Sequence, residues 1–261
     1  MDGELKILES RIAAMEKEIE ALKKSNTLMK DRNEISNLMS KYMLLHAAFR
    51  DEEIIDLWAK REDIHAEYGN VGVYEGYKSV TDYHRGRPNP PGKWIFHALS
   101  NEVLEVAGDG KTAKGVWLLS GTESGHGPLD DKNAPENFYC KETFDGRRVW
   151  AHWVWSRYGV DFIKEDGVWK FWHFHNYELL RTPFDENWVT YNMRLAKRRA
   201  EHPGQKEKVI QYAGNNGEIK FFPEPDRPST FTWTYDGLTS LSVLAPPLPK
   251  AYEHFEDTFE Y

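Results

Sequence analysis

The sequence predicts an α+β fold, with helices first and a run of antiparallel hairpins after them. Three observations carry that prediction. Apolar residues recur every three or four positions as far as Phe49. From Trp94 onward, long apolar stretches alternate with the turns Gly108–Asp109–Gly110 and Glu165–Asp166–Gly167. Aromatic residues make up 14% of the chain, and Trp94, Trp117, Trp150, Trp153, Trp155 and Trp172 all fall in those stretches, as suits strands packed on a core.

In chain order, Leu5, Leu8, Ile12, Met15, Ile19 and Leu22 alternate spacings of three and four, with Glu and Lys between them. That is an a/d seam over residues 1–30, read either as a coiled-coil strand or as an amphipathic helix lying on its own domain. Both readings favour a homo-oligomer, dimer or trimer, or a docked arm. The seam weakens at Asn26, and Asp31 with Glu34 three residues on resembles a capping box that would open a second helix. There Ile35, Leu38, Met39, Tyr42 and Leu45 share one face. A shorter helix is expected from Asp51 to Trp58, then strands at Ile64–Tyr68 and Val71–Tyr74 around a Gly69–Asn70 turn. A short helix at Glu75–His84 precedes a break at Pro88, Pro90 and Pro91.

The sheet is expected from Trp94–Val106, Thr112–Thr122, Trp150–Lys164 and Val168–Tyr177, with Glu123–Asn137 as a polar loop or lid. Residues 31–180 then form the main domain. Residues 181–261 read as a helix, Trp188–Ala200, closed by Lys197–Arg198–Arg199, and a proline-rich arm anchored by Trp233, Tyr235, Tyr252 and Phe255. Such an arm wraps its own domain or a neighbouring subunit.

The 261 residues carry a net charge of −8, so the basic surface that nucleic acid or an anionic bilayer requires is not expected. No apolar run approaches the ~20 residues that span a bilayer, and the opening MDGELKILES is too charged for a secretory signal. A cytoplasmic protein is expected. Cys140 is the single cysteine, which excludes an internal disulfide and a cysteine zinc cluster; it reads as a packed thiol. No phosphate-binding loop or dinucleotide fingerprint occurs, and no cofactor is expected.

The candidate chemistry lies in histidines and tyrosines. His97 sits on a strand face directed inward, and an imidazole with an unperturbed pKa of ~6.5 serves as acid or base at neutral pH. Tyr42 and Tyr68 offer phenols to an oxygen that gains charge. His173 and His175 share a strand face, and if Trp169 and Phe171 point inward, so do both histidines. They serve as a second acid/base or as a substrate contact; a metal pair with Glu123 or Glu178 is a weaker alternative, and no metal is expected. Arg157, among Trp153, Trp155 and Tyr158, needs a partner such as Glu123, Asp51 or an anionic substrate. His152 shares the question of which strand face is inward, because a bulge reverses it. The surplus of tryptophan, with Trp117 and Trp155 as candidate contacts, points to an aromatic or polycyclic substrate.

The order of these landmarks resembles the NTF2-like (SnoaL-like) superfamily. The helix ending near Tyr42–Phe49, the segment Asp51–Trp58 and the strand Ile64–Tyr68 look like its opening. The run His97–Asn101, the turn Gly108–Asp109–Gly110 and the hairpin Phe162–Phe171 look like its continuation. Among its members the chain is most similar to cofactor-free lyases. Bile-acid 7α-dehydratases are similar in the Glu/Lys-rich N-terminal helix, Lys41–Tyr42, Val80–Tyr83 and Gly115–Trp117, and scytalone dehydratases around Ile64–Tyr68 and Gly167–Phe171. Diarylpropane lyases, which expel formaldehyde, are a third comparison. The resemblance implies a cone-shaped α+β barrel, a curved antiparallel sheet around the long helix, with a pocket inside and a functional histidine at His97. Two departures stand out. The family's Asp about five residues after the helix tyrosine is Ala47 here, with His46 beside it and Asp51 further on. Its second strand histidine is replaced by Trp117. The expectation is a lyase removing water or formaldehyde from a ring-bearing alcohol, with an enolate isomerase or a ligand-binding module as alternatives. His97, Tyr42, Tyr68, Arg157 and His173 are its candidate catalytic residues. His46, Asp51, Trp117, Glu123, Trp155 and His175 are its candidate substrate contacts.

Overall fold

The computed structural model describes residues 2–69, 71–85, 87, 89–130, 138–201, 210–213, 218–221, 223–231 and 235–261. Asn70, Pro88, the end of the expected Glu123–Asn137 loop, Phe222 at the start of the proline-rich stretch and the anchor Trp233 lie outside them.

One continuous 46-residue helix, α1 (Asp2–Ala47), replaces the two helices expected from the Asp31 capping box. Asp31 is instead buried, taking a hydrogen bond from Trp169 Nε1 at 3.0 Å and an ion pair from Lys164 Nζ at 2.5 Å. It anchors the helix to the sheet rather than starting a new one. Beyond it, Ile35, Met39, Tyr42 and Met43 are buried on the same side. The short α2 (Asp51–Ile55) follows a turn in which Phe49 takes a positive φ of 55°. Then come β1 (His65–Tyr68), β2 (Gly72–Glu75) and α3 (Gly76–Arg85).

The sheet continues with β3 (Trp94–Val106), β4 (Thr112–Pro128), β5 (Thr143–Phe144), β6 (Arg147–Glu165) and β7 (Val168–Pro183). Strand β4 runs past Thr122, so Glu123 belongs to a paired strand and not to a loop. The order is β2-β1-β7-β6-β4-β3, with β5 beside β6. The β1–β7 pair is parallel, so the sheet is mixed rather than wholly antiparallel, and it curves without closing into a barrel. Its inner face packs Tyr158, Val160, Phe162, Phe171 and Phe174 against Tyr42, Met39 and Trp58.

Two bulges in β7 decide what faces inward. Phe162 opposes Phe171 and Asp161 opposes His173, so Trp172 is an extra residue; Leu179 is the second, between Glu178 and Leu180. Each reverses the alternation.

After α4 (Trp188–Glu201) and the hairpin β8 (Ile210–Ala213) and β9 (Glu218–Phe221), the arm wraps its own domain on the outer face. Phe231 N and Thr230 N donate to Glu67, and Arg157 donates to the carbonyls of Val243 and Ala245. The terminal Tyr261 packs against Gly159 and donates its backbone N–H to Asp161. No described helix is long and apolar enough to cross a membrane.

Candidate active site

Seven elements bring polar side chains to one end of the inner face. The last turns of α1 supply Tyr42 and His46, four apart and so on one side. The start of α2 supplies Asp51; β1 supplies Tyr68; α3 turns Val80, Tyr83 and His84 inward together. Strands β3, β4 and β7 add His97, Glu123 and Arg181.

The first group centres on His84, which is fully buried. Its Nε2 lies 3.2 Å from Trp58 Nε1 and 3.2 Å from the Tyr68 hydroxyl. Indole N–H only donates, so Nε2 accepts and the ring proton resides on Nδ1. Nδ1 faces Asp51 Oδ1 at 3.7 Å. Arg87 holds Asp51 in place, with Nη1 at 2.8 Å from the carboxylate and Nη2 donating to the His46 carbonyl at 3.0 Å. Burial pushes the His84 imidazole below its ordinary value; Asp51 opposes this and Arg87 adds to it. His84 is therefore a neutral base at neutral pH.

The second group is His46, His97, Glu123 and Arg181. The rings of His46 and His97 stack with centroids 5.2 Å apart. His97 Nε2 is 3.2 Å from Glu123 Oε1, and Arg181 grips Glu123 from behind at 2.6 and 3.3 Å. Burial works against ionisation of Glu123, but Arg181 and His97 outweigh it and hold the carboxyl well below the usual range. Burial, with Arg87 and His97 adding, keeps His46 well below the usual imidazole value. Gly121 faces His97 across the β3–β4 ladder, and a Cβ there would lie 2.4 Å from the imidazole, so the glycine makes room for the ring.

Tyr42 joins the groups, its ring 5.8 Å from His46 and 6.5 Å from His84. Burial raises the phenols of Tyr42 and Tyr68, which therefore stay protonated donors. Lys93 lies over Phe49 at 4.8 Å, lowered to about 8 by burial and by Arg87. Among the described residues, Nδ1 of His46, His84 and His97 are buried without a hydrogen-bond partner. Three such atoms gathered in one place leave hydrogen-bonding capacity that a ligand or water can take up.

Six of the candidates from the sequence therefore come together: Tyr42, His46, Asp51, Tyr68, His97 and Glu123. Four do not, because the Trp172 bulge and the alternation of β6 put them on the outer face. His173 faces Asp161 at 2.9 Å, His175 faces Glu67 at 3.1 Å, and Arg157 and Trp155 lie against the arm and Trp188. Trp117 points inward, but about 20 Å along β4 from Glu123, and donates to Glu102 at 3.1 Å. His152 is also inward, donating to the Phe138 carbonyl at 2.8 Å, and burial brings it to about 4. Sequence reasoning missed His84, Trp58, Arg87 and Arg181. The available signal was the spacing of Val80, Tyr83 and His84, which places the histidine on the buried side of a short helix.

In the solved structures, a hexachlorocyclohexane dehydrochlorinase (LinA) type 2 is 16% identical, covering 62% of this chain and 95% of its own, with a TM-score of 0.47. A LinA type 3 dehydrochlorinase from Novosphingobium barchaimii LL02 is 17% identical, covering 62% and 96%, with a TM-score of 0.44. A scytalone dehydratase-like protein from Novosphingobium aromaticivorans is 15% identical, covering 62% and 93%, with a TM-score of 0.45. No curated protein matches the sequence. The family model of the SnoaL-like domain matches residues 27–175, more than half of the chain. The chain belongs to the SnoaL-like domain family.

Proposed function

We propose that this protein is a cofactor-independent lyase that removes water or formaldehyde from a hydrophobic, ring-bearing alcohol of phenolic, lignin-derived or steroid-like type. The observation that carries this reading is His84: buried, uncharged, with the Asp51 carboxylate 3.7 Å from Nδ1 and with Trp58 and Tyr68 holding Nε2 as the acceptor nitrogen. In dehydration, substrate displaces the Trp58 and Tyr68 donors from His84 Nε2, whose single lone pair then takes the proton from the carbon next to the leaving group. Asp51 stabilises the imidazolium that forms. The C–H electron pair becomes the second bond of an alkene as the C–O bond breaks. His97, with Glu123 as counter-ion, protonates the departing hydroxide, which leaves as water. Tyr42, and Tyr68 once released from His84, donate to the substrate oxygen that gains charge. In loss of formaldehyde the same base takes the hydroxymethyl O–H proton, the C–C bond breaks as the C=O of formaldehyde forms, and the carbon that keeps the electron pair receives the proton back. Two positioned acid/base groups supply about 10²–10⁴-fold each. The packed rings of Trp58, Tyr42, Tyr68 and Tyr83 beside His84 suit a flat substrate.

Mass spectrometry of the purified protein with diarylpropane diols, phenolic polyols and hydroxysteroids tests the proposal. A loss of about 18 or about 30 mass units, absent in His84→Ala with binding retained, supports it and names the leaving group. Product of unchanged mass points to an enolate isomerase. Binding without turnover across the panel points to a ligand-binding module.

A further inference from the structure

We propose that the free part of α1 pairs with the same segment of a second copy of this chain, as a parallel, in-register two-stranded coiled coil. The helix is about 70 Å long, but only its C-terminal half packs on the sheet. On the other half Leu5, Leu8, Ile12, Met15, Ile19, Leu22 and Met29 are 47–64% exposed. A lone helix gains nothing from showing such a seam to water, and most helical stability comes from covering it.

The domain to which the seam belongs cannot cover it. The sheet is met by Asp31, Ile35, Met39, Tyr42 and His46. At about 100° per residue this stripe lies roughly half a turn from the seam. The contact of Lys24 with Glu253 of the arm, at 3.8 Å, falls on the sheet side too. A second helix therefore reaches the seam without meeting the domain.

The seam's composition selects the occupant. The a positions are Leu5, Ile12, Ile19 and Asn26; the d positions are Leu8, Met15, Leu22 and Met29. β-Branched residues at a with unbranched-β residues at d favour two strands, and one Asn at an a position fixes register, because its amide needs its own copy opposite. Charge agrees. In a parallel pair each g residue faces the e residue of the next heptad, so Arg11 of one copy meets Glu16 of the other, and Glu18 meets Lys23. The like pair Glu4 and Glu9 falls at the frayed start. An antiparallel pair would put Asn26 opposite Leu8 and leave the amide unsatisfied. The parallel arrangement carries both catalytic domains at the same end of the rod. It does not depend on the lyase reading.

Sedimentation of the full chain tests it. The expected mass is twice 30.5 kDa. Ile12→Lys with Ile19→Lys, outside the packed domain, weakens the dimer by roughly a hundredfold or more while the melting of the domain is retained. Arg11→Glu weakens it, and Glu16→Arg in the same chain restores it. In a Cys140→Ser background, Leu8→Cys forms a disulfide dimer on oxidation. A monomer, a trimer, or a dimer indifferent to the lysines overturns the proposal. So does cross-linking that requires mixing Leu8→Cys chains with Asn26→Cys chains.

Discussion

The two faces of this sheet both carry histidines, but they use them differently. On the outer face each histidine has a carboxylate within hydrogen-bonding or ion-pairing reach. His173 faces Asp161, which also holds the buried Lys114; His175 faces Glu67, which accepts from Ser229, Thr230 and Phe231 as well. The arm seals both pairs from water. On the inner face His84 and His97 also have carboxylates, Asp51 at 3.7 Å and Glu123 at 3.2 Å, but the Nδ1 atoms of His46, His84 and His97 are all buried without a hydrogen-bond partner and gather at one end of the face. Satisfied networks fix a structure; unsatisfied ones leave capacity for a ligand. Histidine content alone does not distinguish a site from a clasp, nor does one unpartnered nitrogen, since His175 Nε2 lacks a hydrogen-bond partner under the arm; what marks the inner face is that three such imidazoles lie together.

Substitution separates the faces most sharply. His84→Ala removes the base and lowers kcat/KM by about 10²–10⁴-fold, with the urea midpoint shifted far less than turnover. Asp161→Ala does the reverse. Lys114, fully buried, loses its carboxylate, and breaking a buried pair this way costs about 3–5 kcal/mol of stability. Turnover by the fraction that remains folded stays near wild type. Parallel urea titrations and steady-state assays on both variants check the contrast. Equal loss of activity in the two would dissolve it.

Much of this contrast was legible in the sequence, but not its sidedness. Strand β3 runs from Trp94 to Val106 as expected, because alternation and the Gly108–Asp109–Gly110 turn fix it locally. His97 and Tyr42 were legible through strand face and helical spacing; Tyr68 was singled out for its phenol alone, and the structure turns it inward on β1. His173 and His175 were drawn inward with Trp169 and Phe171. That inference fails at Trp172, where a bulge inserts one residue without any change of composition. The parallel β1–β7 pairing joins His65 to His173, too far apart in sequence for local pattern to reveal. Asp31 with Glu34 imitated a helix start because a buried anchor and a cap use the same residue type. His84 was read as the end of a helix, although its spacing from Val80 already put it on the buried side.

Acid distinguishes the faces next. Burial depresses the folded-state values of His46 and His84 below the 6.5 of the unfolded chain. Their contribution to stability is complete above pH 6.5 and falls as pH drops below it, because the unfolded chain then binds protons that the folded one refuses. On the outer face Glu67 is held at about 2; burial opposes this, but His175, Ser229 and Thr230 outweigh it. Its contribution is complete above an ordinary 4.5 and disappears as pH falls toward about 2. The urea midpoint is thus expected to decline in two steps. The first, below pH 6.5, is flattened by His46→Gln with His84→Gln. The second, below about pH 4.5, is flattened by Glu67→Gln. The acid limb of kcat/KM lies below that of a free imidazole.

The smallest effect is expected at Arg157, where the sequence reading and the fold differ most. An arginine among tryptophans invites a catalytic role, yet its guanidinium Nη1 donates to the carbonyls of Val243 and Ala245, both at 2.8 Å. It pins the arm to the outer face through these two carbonyls and hydrogen-bonds no inner-face residue among those described. Arg157→Ala therefore leaves kcat/KM within about twofold and lowers stability by about 1–3 kcal/mol, the worth of charge-assisted bonds to backbone acceptors. Hydrogen exchange adds a readout that a general loss of stability would not give. Faster exchange confined to the arm near Val243 and Ala245 is expected, with β1 and α3 unchanged. A large fall in kcat/KM with the arm still protected would mean that the outer face reaches the chemistry through the sheet.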